Sequence, residues 1–231
     1  MNLLSRKLTV LAAAGAMGMS GLSGCASLNN TERGGVIGAG TGAAVGGVIG
    51  RQTGAGTARG AIIGAVLGGA AGAIIGRRMD NQARELETAL PNAEVERVGE
   101  GIAVTFASGI LFPFNSTEVL PAGRGNLQQL AQSLSKYPGT TVLIVGHTDN
   151  VGSDSYNMTL SQRRADAAAS YLAAQGVSRS RVRIEGRGEM EPIASNDSEA
   201  GRSQNRRVEI AIFADEAYRQ QILRENGGRA Q

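Results

Sequence analysis

The chain has 231 residues, 23 of them basic and 20 acidic, and a formal net charge of +3 carried almost wholly by arginine, since Lys7 and Lys136 are its lysines. Aromatic residues make up 3% of the sequence and the basic residues are scattered among acids, so there is no Arg/aromatic platform for stacking bases and nucleic acid is excluded as a partner. The length and the Val, Ile and Leu content of the central and C-terminal parts suit one folded domain with accessory segments.

Arg6 and Lys7 precede an apolar run over residues 8–19. It is too short and too rich in small residues for a membrane span but suits the h-region of a secretory signal, so residues 1–24 are expected to be a lipoprotein signal peptide. Leu22, Ser23, Gly24 and Cys25 then read as a bacterial lipobox. Cys25 is the single cysteine, so it cannot form an internal disulfide. It is expected to carry diacylglycerol through a thioether, and each buried acyl methylene adds about 0.8 kcal/mol of membrane affinity. Ala26 and Ser27 stand where an aspartate, by resemblance to enterobacterial lipoproteins, would signal inner-membrane retention. The expected location is therefore the outer membrane, periplasmic face, with residues 25–33 as lipidated N-terminus and tether.

Gly34, Gly38, Gly42, Gly46 and Gly50 recur every four residues, and the period restarts as Gly60, Gly64, Gly68, Gly72 and Gly76. Glycine in an exposed helix costs about 1 kcal/mol relative to alanine, so the ladder makes sense where close backbone approach offsets that loss. Val36, Ile37, Val48, Ile49, Ile62, Ile63, Ile74 and Ile75 supply apolar surface between the glycines. Residues 34–79 are expected to form a glycine-zipper helical hairpin, with self-association into a homo-oligomer a further expectation. Each arm would be roughly 25 Å long at 1.5 Å per residue, the lower limit for a bilayer span. A flexible Gly/Ala linker is the alternative. A dinucleotide-binding reading of Gly38, Gly40 and Gly42 fails, because no strand precedes them and no acidic residue follows at the required distance. Residues 79–90 should continue the second arm as a helix that Pro91 stops, and 80–99 form a helical and linker segment.

From residue 100 the pattern changes. Residues 101–106 alternate as a strand. Residues 121–137 read as a helix with Leu127, Leu130 and Leu134 on one face, and 140–145 as a fully apolar strand. A second helix over 160–175 ends at Gly176, a left-handed cap candidate. Strands at 182–185 and 207–213 follow, with a short helix near 198–204 between them. This predicts an α+β domain over 100–214, with helices on one sheet face and a C-terminal tail over 215–231.

The chemistry sits where the 140–145 strand ends. Asp149 lies in a loop whose Gly152 can take positive φ; an aspartate there can serve simply as a turn cap. Arg164 falls between Leu160 and Ala168 on the shoulder of its helix's apolar side, whereas Arg163 points to solvent. A guanidinium beside a buried face needs a partner, either Asp149 or an anionic ligand held in a bidentate fork. The runs Gly146-His147-Thr148-Asp149-Asn150-Val151-Gly152, then Asn157, then Leu160-Ser161-Gln162-Arg163-Arg164-Ala165, and finally Asn205-Arg206-Arg207-Val208-Glu209 together resemble the signature of the OmpA-like (Pal-like) peptidoglycan-binding domain. With the lipobox and glycine ladder ahead, the order is similar to that of glycine-zipper OmpA-family outer-membrane lipoproteins.

The resemblance implies a βαβαββ sandwich in which Asp149 and Arg164 bind the diaminopimelate of a peptidoglycan stem peptide, Asp149 taking an ammonium and Arg164 a carboxylate. It also implies roles for Thr148, for Asn157 as an amide donor, for Leu160 in shaping the pocket, and for Arg206 and Arg207. Because Val208, Ile210 and Ile212 share one strand face, the two arginines cannot both point into the core, and the sequence leaves open which meets ligand. Many members carry Phe-Asp where this chain has Phe112-Pro113, so a contact from that aspartate is not carried over. Catalysis is not expected: His147 is the single histidine, read as a rim or satisfied edge residue, and with one cysteine there is no zinc set. No metal or other cofactor is implied. The expected function is non-covalent tethering of the outer membrane to peptidoglycan. The alternative is a membrane-active or assembly protein whose glycine hairpin does the work.

Overall fold

A computed structural model describes residues 56–113 and 115–227. The signal segment, Cys25, the 25–33 tether and the first glycine arm lie outside the described residues. The elements are α1 (Gly56–Gly64), α2 (Gly69–Ala89), β1 (Glu94–Val98), β2 (Gly101–Ala107), α3 (Ser108–Leu111), α4 (Pro121–Lys136), β3 (Thr140–Gly146), α5 (Asp154–Ala174), a 3-10 turn (Arg179–Arg181), β4 (Val182–Gly186), α6 (Glu199–Asn205), β5 (Arg207–Ala214) and α7 (Glu216–Gly227). The five strands form one sheet in the order β1-β2-β5-β3-β4. Every pairing is antiparallel except β3 with β4, and α5 makes the crossover that a parallel pair needs. The α+β expectation is met, and the expected βαβαββ order is β2-α4-β3-α5-β4-β5.

Strand alternation and helix period meet in the main core. Ile102, Val104 and Phe106 of β2, Val142 and Ile144 of β3, and Val208, Ile210 and Ile212 of β5 occupy one sheet face. Against them pack Leu127, Leu130 and Leu134 of α4, Ala165, Ala168 and Leu172 of α5, and Ile75, Met79 and Leu86 of α2. The small side chains of α5 let it lie close to the sheet, and it ends as expected: Gly176 takes φ 92 and the Val177 N–H donates to the Leu172 carbonyl at 3.1 Å, a Schellman closure.

Helices cover both sheet faces, not one. Ala103, Leu143, Val145 and Ala211 point away from the main core and are buried by Ala58 and Ile62 of α1. The second glycine arm is therefore not a single helix running on into residues 77–89. It breaks at Gly68 and Gly69, with φ 71 and 61, and the cause is Glu100. This carboxylate, 3% exposed, accepts the N–H groups of Leu67 (3.0 Å) and Gly68 (2.7 Å), so a negative charge from the start of β2 sits at the positive N-terminal end of α2. Gly72 makes room for it, since a Cβ there would overlap the Glu100 carboxylate. No helix among the described residues is long and apolar enough to cross a membrane.

Three elements go beyond the sequence expectation. β1 pairs with β2 inside the 80–99 segment, α5 begins at Asp154, six residues early, with the Ser153 side chain capping Tyr156 N–H at 3.3 Å, and α7 occupies the expected tail. Arg219 of α7 donates to the Ala65 carbonyl at 3.1 Å, and Arg78 of α2 sits 4.9 Å over the Tyr218 ring.

Candidate functional site

The parallel strands β3 and β4 both end in glycine, at Gly146 and Gly186. A Cβ on either would collide with α5 at Ser161 and Gln162, so these two glycines let the helix cross the strand ends in near contact. Ser161 and Gln162 then fasten it: Ser161 Oγ accepts Gly188 N–H at 2.9 Å and Gln162 Oε1 accepts Gly186 N–H at 2.6 Å. One turn on, Arg164 is carried to the sheet end. The Leu-Ser-x-x-Arg run thus combines an anchor (Ser161) with a presented guanidinium, and half-buried Leu160 lies one turn ahead of it.

Asp149, 7% exposed, has two partners. Its Oδ1 accepts Val151 N–H at 3.1 Å, closing the turn that Gly152 completes at φ 110, and its Oδ2 pairs with Arg206 at 2.6 Å. Arg206 also holds Glu199 at 2.6 Å. Asn157, 1% exposed, donates to the Asp149 carbonyl at 3.2 Å and to Glu189 Oε2 at 2.6 Å. Thr148 N–H donates to the Gly188 carbonyl at 2.8 Å, while its buried hydroxyl has no hydrogen-bond partner among the described residues.

Arg164 does not pair with Asp149. It is 4% exposed, its Nε donates to the Ser116 carbonyl at 3.0 Å, and its guanidinium lies 5.6 Å from the Phe112 ring centroid. Burial holds its pKa below the usual arginine value, the nearby Arg206 charge adds to that, and the Asp149 charge opposes it. Of the two partners the sequence left open for Arg164, Asp149 is not the one it meets here: Arg206, between α6 and β5, pairs with Asp149, while Arg164 donates to the Ser116 and Pro113 carbonyls. Arg163 is exposed, as its helical position predicts.

The two arginines of the Asn-Arg-Arg run separate. Arg206 joins the site; Arg207 is buried on the sheet face opposite α5, with its Nε 2.7 Å from Glu209 and one guanidinium nitrogen 3.1 Å from the Glu191 carbonyl. The structure does not bring Arg207 to Asp149, because consecutive residues at the start of a strand point to opposite faces. His147 is not at a rim either. It is 1% exposed, neither ring nitrogen has a hydrogen-bond partner among the described residues, Glu209 lying 3.9 Å from Nε2, and burial, with the charges of Arg207 and Arg187, depresses its pKa to about 2. No group of His, Cys, Asp or Glu among the described residues could hold a metal ion.

Ser161, Glu189 and Asn205 are contributors that sequence reasoning passed over. Asn205 organises the loop before α6, its Oδ1 accepting Ile193 N–H (2.8 Å) and Ala194 N–H (3.0 Å) and its Nδ2 donating to the Ala194 carbonyl at 2.9 Å. Ser161 and Asn205 sit inside the motif runs and were findable there. Glu189 lies in a loop with no spacing signal.

Comparison with known proteins agrees with this architecture. The sequence pattern of the OmpA family matches residues 111–206, and that of the YMGG-like Gly-zipper matches residues 4–80. The chain is 41% identical over 136 residues to the "Probable lipoprotein YiaD" of Escherichia coli (strain K12), which covers 58% of this chain and 62% of that protein. It is 36% identical over 116 residues to the "Outer-membrane lipoprotein YfiB" of Pseudomonas aeruginosa, covering 50% of this chain and 69% of that one. Thus the chain spans less than two thirds of the length of YiaD. The structure described as "the cell wall anchor of the T6SS from Pseudomonas aeruginosa" superposes with a TM-score of 0.53 at 36% identity, over 58% of this chain and 97% of that one. The chain belongs to the OmpA family, with a YMGG-like Gly-zipper segment ahead of its OmpA-family domain.

Proposed function

We propose that the domain binds peptidoglycan non-covalently through Asp149, Arg164 and Arg206, taking the diaminopimelate of a stem peptide, and that acylated Cys25 makes the chain a lipoprotein tethering the outer membrane to the wall. The observation that carries this reading is Arg164: a buried guanidinium with no carboxylate within salt-bridge distance among the described residues, beside a loop whose Thr148 hydroxyl is buried and unpartnered. A buried charge without a counter-ion is costly, and a ligand carboxylate would meet both groups. The ligand's ammonium would take the remaining lone pairs of Asp149, and Arg206 is placed to share the carboxylate. Asn157 and Glu189 hold the Asp149 loop, Leu160 shapes the wall of the site, and Arg207 has a structural role. One relative named as an outer-membrane lipoprotein and one solved structure described as a cell wall anchor support the reading.

The test is co-sedimentation with purified sacculi and titration with a diaminopimelate-containing peptide. A charge-assisted hydrogen bond contributes about 1.5–3 kcal/mol, so Asp149→Ala and Arg164→Ala should each weaken binding roughly tenfold or more. Arg163→Ala, with the same charge and neighbourhood, should bind as wild type. Equal losses at Arg163 and Arg164, with folding verified by circular dichroism, would show general attraction to an anionic polymer and refute the site.

A further inference from the structure

The face of the sheet opposite the main core is covered by the start of the second glycine repeat. Its anchors are specific. Thr57 donates from its hydroxyl (2.5 Å) and its N–H (3.0 Å) to Glu191, and Arg59 pairs with Glu96 at 2.8 Å and lies 4.0 Å from Glu209. Ile62, fully buried, fills the apolar patch and reaches the backbone at Gly101, where a Cβ would strike it. Gly68 and Gly72 are shaped around Glu100.

Residues 31–51 read TERGGVIGAGTGAAVGGVIGR and residues 57–77 read TARGAIIGAVLGGAAGAIIGR, in register at an offset of 26 and identical at twelve positions. The duplication extends beyond the glycines to the anchors. Thr31 stands for Thr57, Arg33 for Arg59, Val36 for Ile62, Gly42 for Gly68 and Gly46 for Gly72. Two differences run against the first copy. Glu32 replaces Ala58, which is fully buried against Ala103, Val145 and Ala211, and Ala43 replaces Gly69, which takes φ 61.

We propose that the first repeat is a second ligand for this face and exchanges with the second repeat within one chain, residues 31–50 taking the places of 57–76 and extruding residues 51–76 as a loop while residues 77–89 of α2 keep their place in the core. The second repeat is the resting occupant because alanine in the left-handed region and a carboxylate in the apolar place of Ala58 both penalise the first. The exchange is intramolecular because a short tether supplies a millimolar effective concentration of the competing segment.

The experiment uses the full chain and a short bis-maleimide joining Glu191→Cys to either Thr57→Cys or Thr31→Cys, with Cys25 replaced by Ser. In an otherwise unaltered chain, the Thr57 pair should dominate. Glu32→Ala with Ala43→Gly, which leaves the folded domain and the second repeat untouched, should raise the intramolecular Thr31 product about tenfold, the equivalent of removing one left-handed alanine. Ile62→Lys with Gly72→Leu should make the Thr31 pair the major product, with sacculus binding as the control that the domain is folded. No change in the Thr31 product in the Glu32→Ala, Ala43→Gly chain overturns the proposal. Thr31 products found only as cross-linked dimers also overturn it, since the ligand would then come from a second copy.

Discussion

His147 is the residue whose surroundings most constrain the protein's response to pH. Its pKa is depressed to about 2 by burial, with Arg207 and Arg187 adding to the effect, against about 6.5 in an unfolded chain. The unfolded state therefore binds the proton that the native state refuses, and His147's contribution is complete above pH 6.5 and is lost as the pH falls below it. The slope is about 1.4 kcal/mol per pH unit, so chemical denaturation at pH 5 should show roughly 2 kcal/mol less stability than at pH 7 from this group. His147→Phe should flatten that decline, measured as denaturation midpoints across the range. The two adjacent arginines make a second residue-scale contrast. Arg207→Ala takes the close guanidinium from the buried Glu209 carboxylate, leaving Arg59 at 4.0 Å, and should cost about 3 kcal/mol of stability, whereas Arg206→Ala, at a pair whose guanidinium is 25% exposed, should cost less and weaken the proposed peptidoglycan binding.

At the level of elements, the start of α2 depends on a carboxylate from another part of the chain. Glu100→Ala removes two hydrogen bonds from the backbone N–H groups of Leu67 and Gly68, just ahead of α2, and should cost about 1–3 kcal/mol. Gly72→Ala should be destabilising alone, because its Cβ overlaps Glu100; on the Glu100→Ala background it should become stabilising by about 1 kcal/mol, the ordinary gain of alanine over glycine in a helix. A double-mutant cycle on denaturation midpoints measures this reversal, and additive effects would contradict the proposed coupling. The same element shows where reading the sequence succeeded and failed. Strands and helices whose apolar residues kept one period, such as 140–145 and 121–137, were legible to within a residue or two. β1 was not, since Glu94, Glu96 and Arg97 make it an edge strand with little apolar signal. The first turns of α5 carry no apolar stripe, although the Ser153 cap was there to be read. Four-residue glycine spacing points to close packing without saying against what, and Glu100, 28 positions beyond Gly72 in sequence, is invisible to any local pattern. Asp149 and Arg164 were legible as candidates because one follows a strand of clear pattern and the other sits on the shoulder of a helix; the pairing of Arg206 with Asp149 depended on how that single residue turns between α6 and β5.

For the whole molecule, the sheet is buried on both sides only while α1 stays docked. A chain beginning at residue 77 should keep the site proposed for peptidoglycan, at the strand ends, but lose the cover over Ala103, Leu143, Val145 and Ala211. Burying one isoleucine side chain contributes about 1.5–3 kcal/mol, so the shortened chain should denature at least about 2 kcal/mol earlier than one beginning at residue 56 and should bind a hydrophobic dye that the longer one does not. Docking also withdraws chain from the tether. If Cys25 holds the protein to a membrane, 30 residues separate that anchor from Gly56, a reach of about 100 Å at full extension. Releasing residues 56–76 would add about 70 Å, and docking the first repeat in their place would leave about 15 Å. The packing of one isoleucine, one threonine and one arginine against the sheet would thus set the greatest distance between the domain and a membrane that holds Cys25.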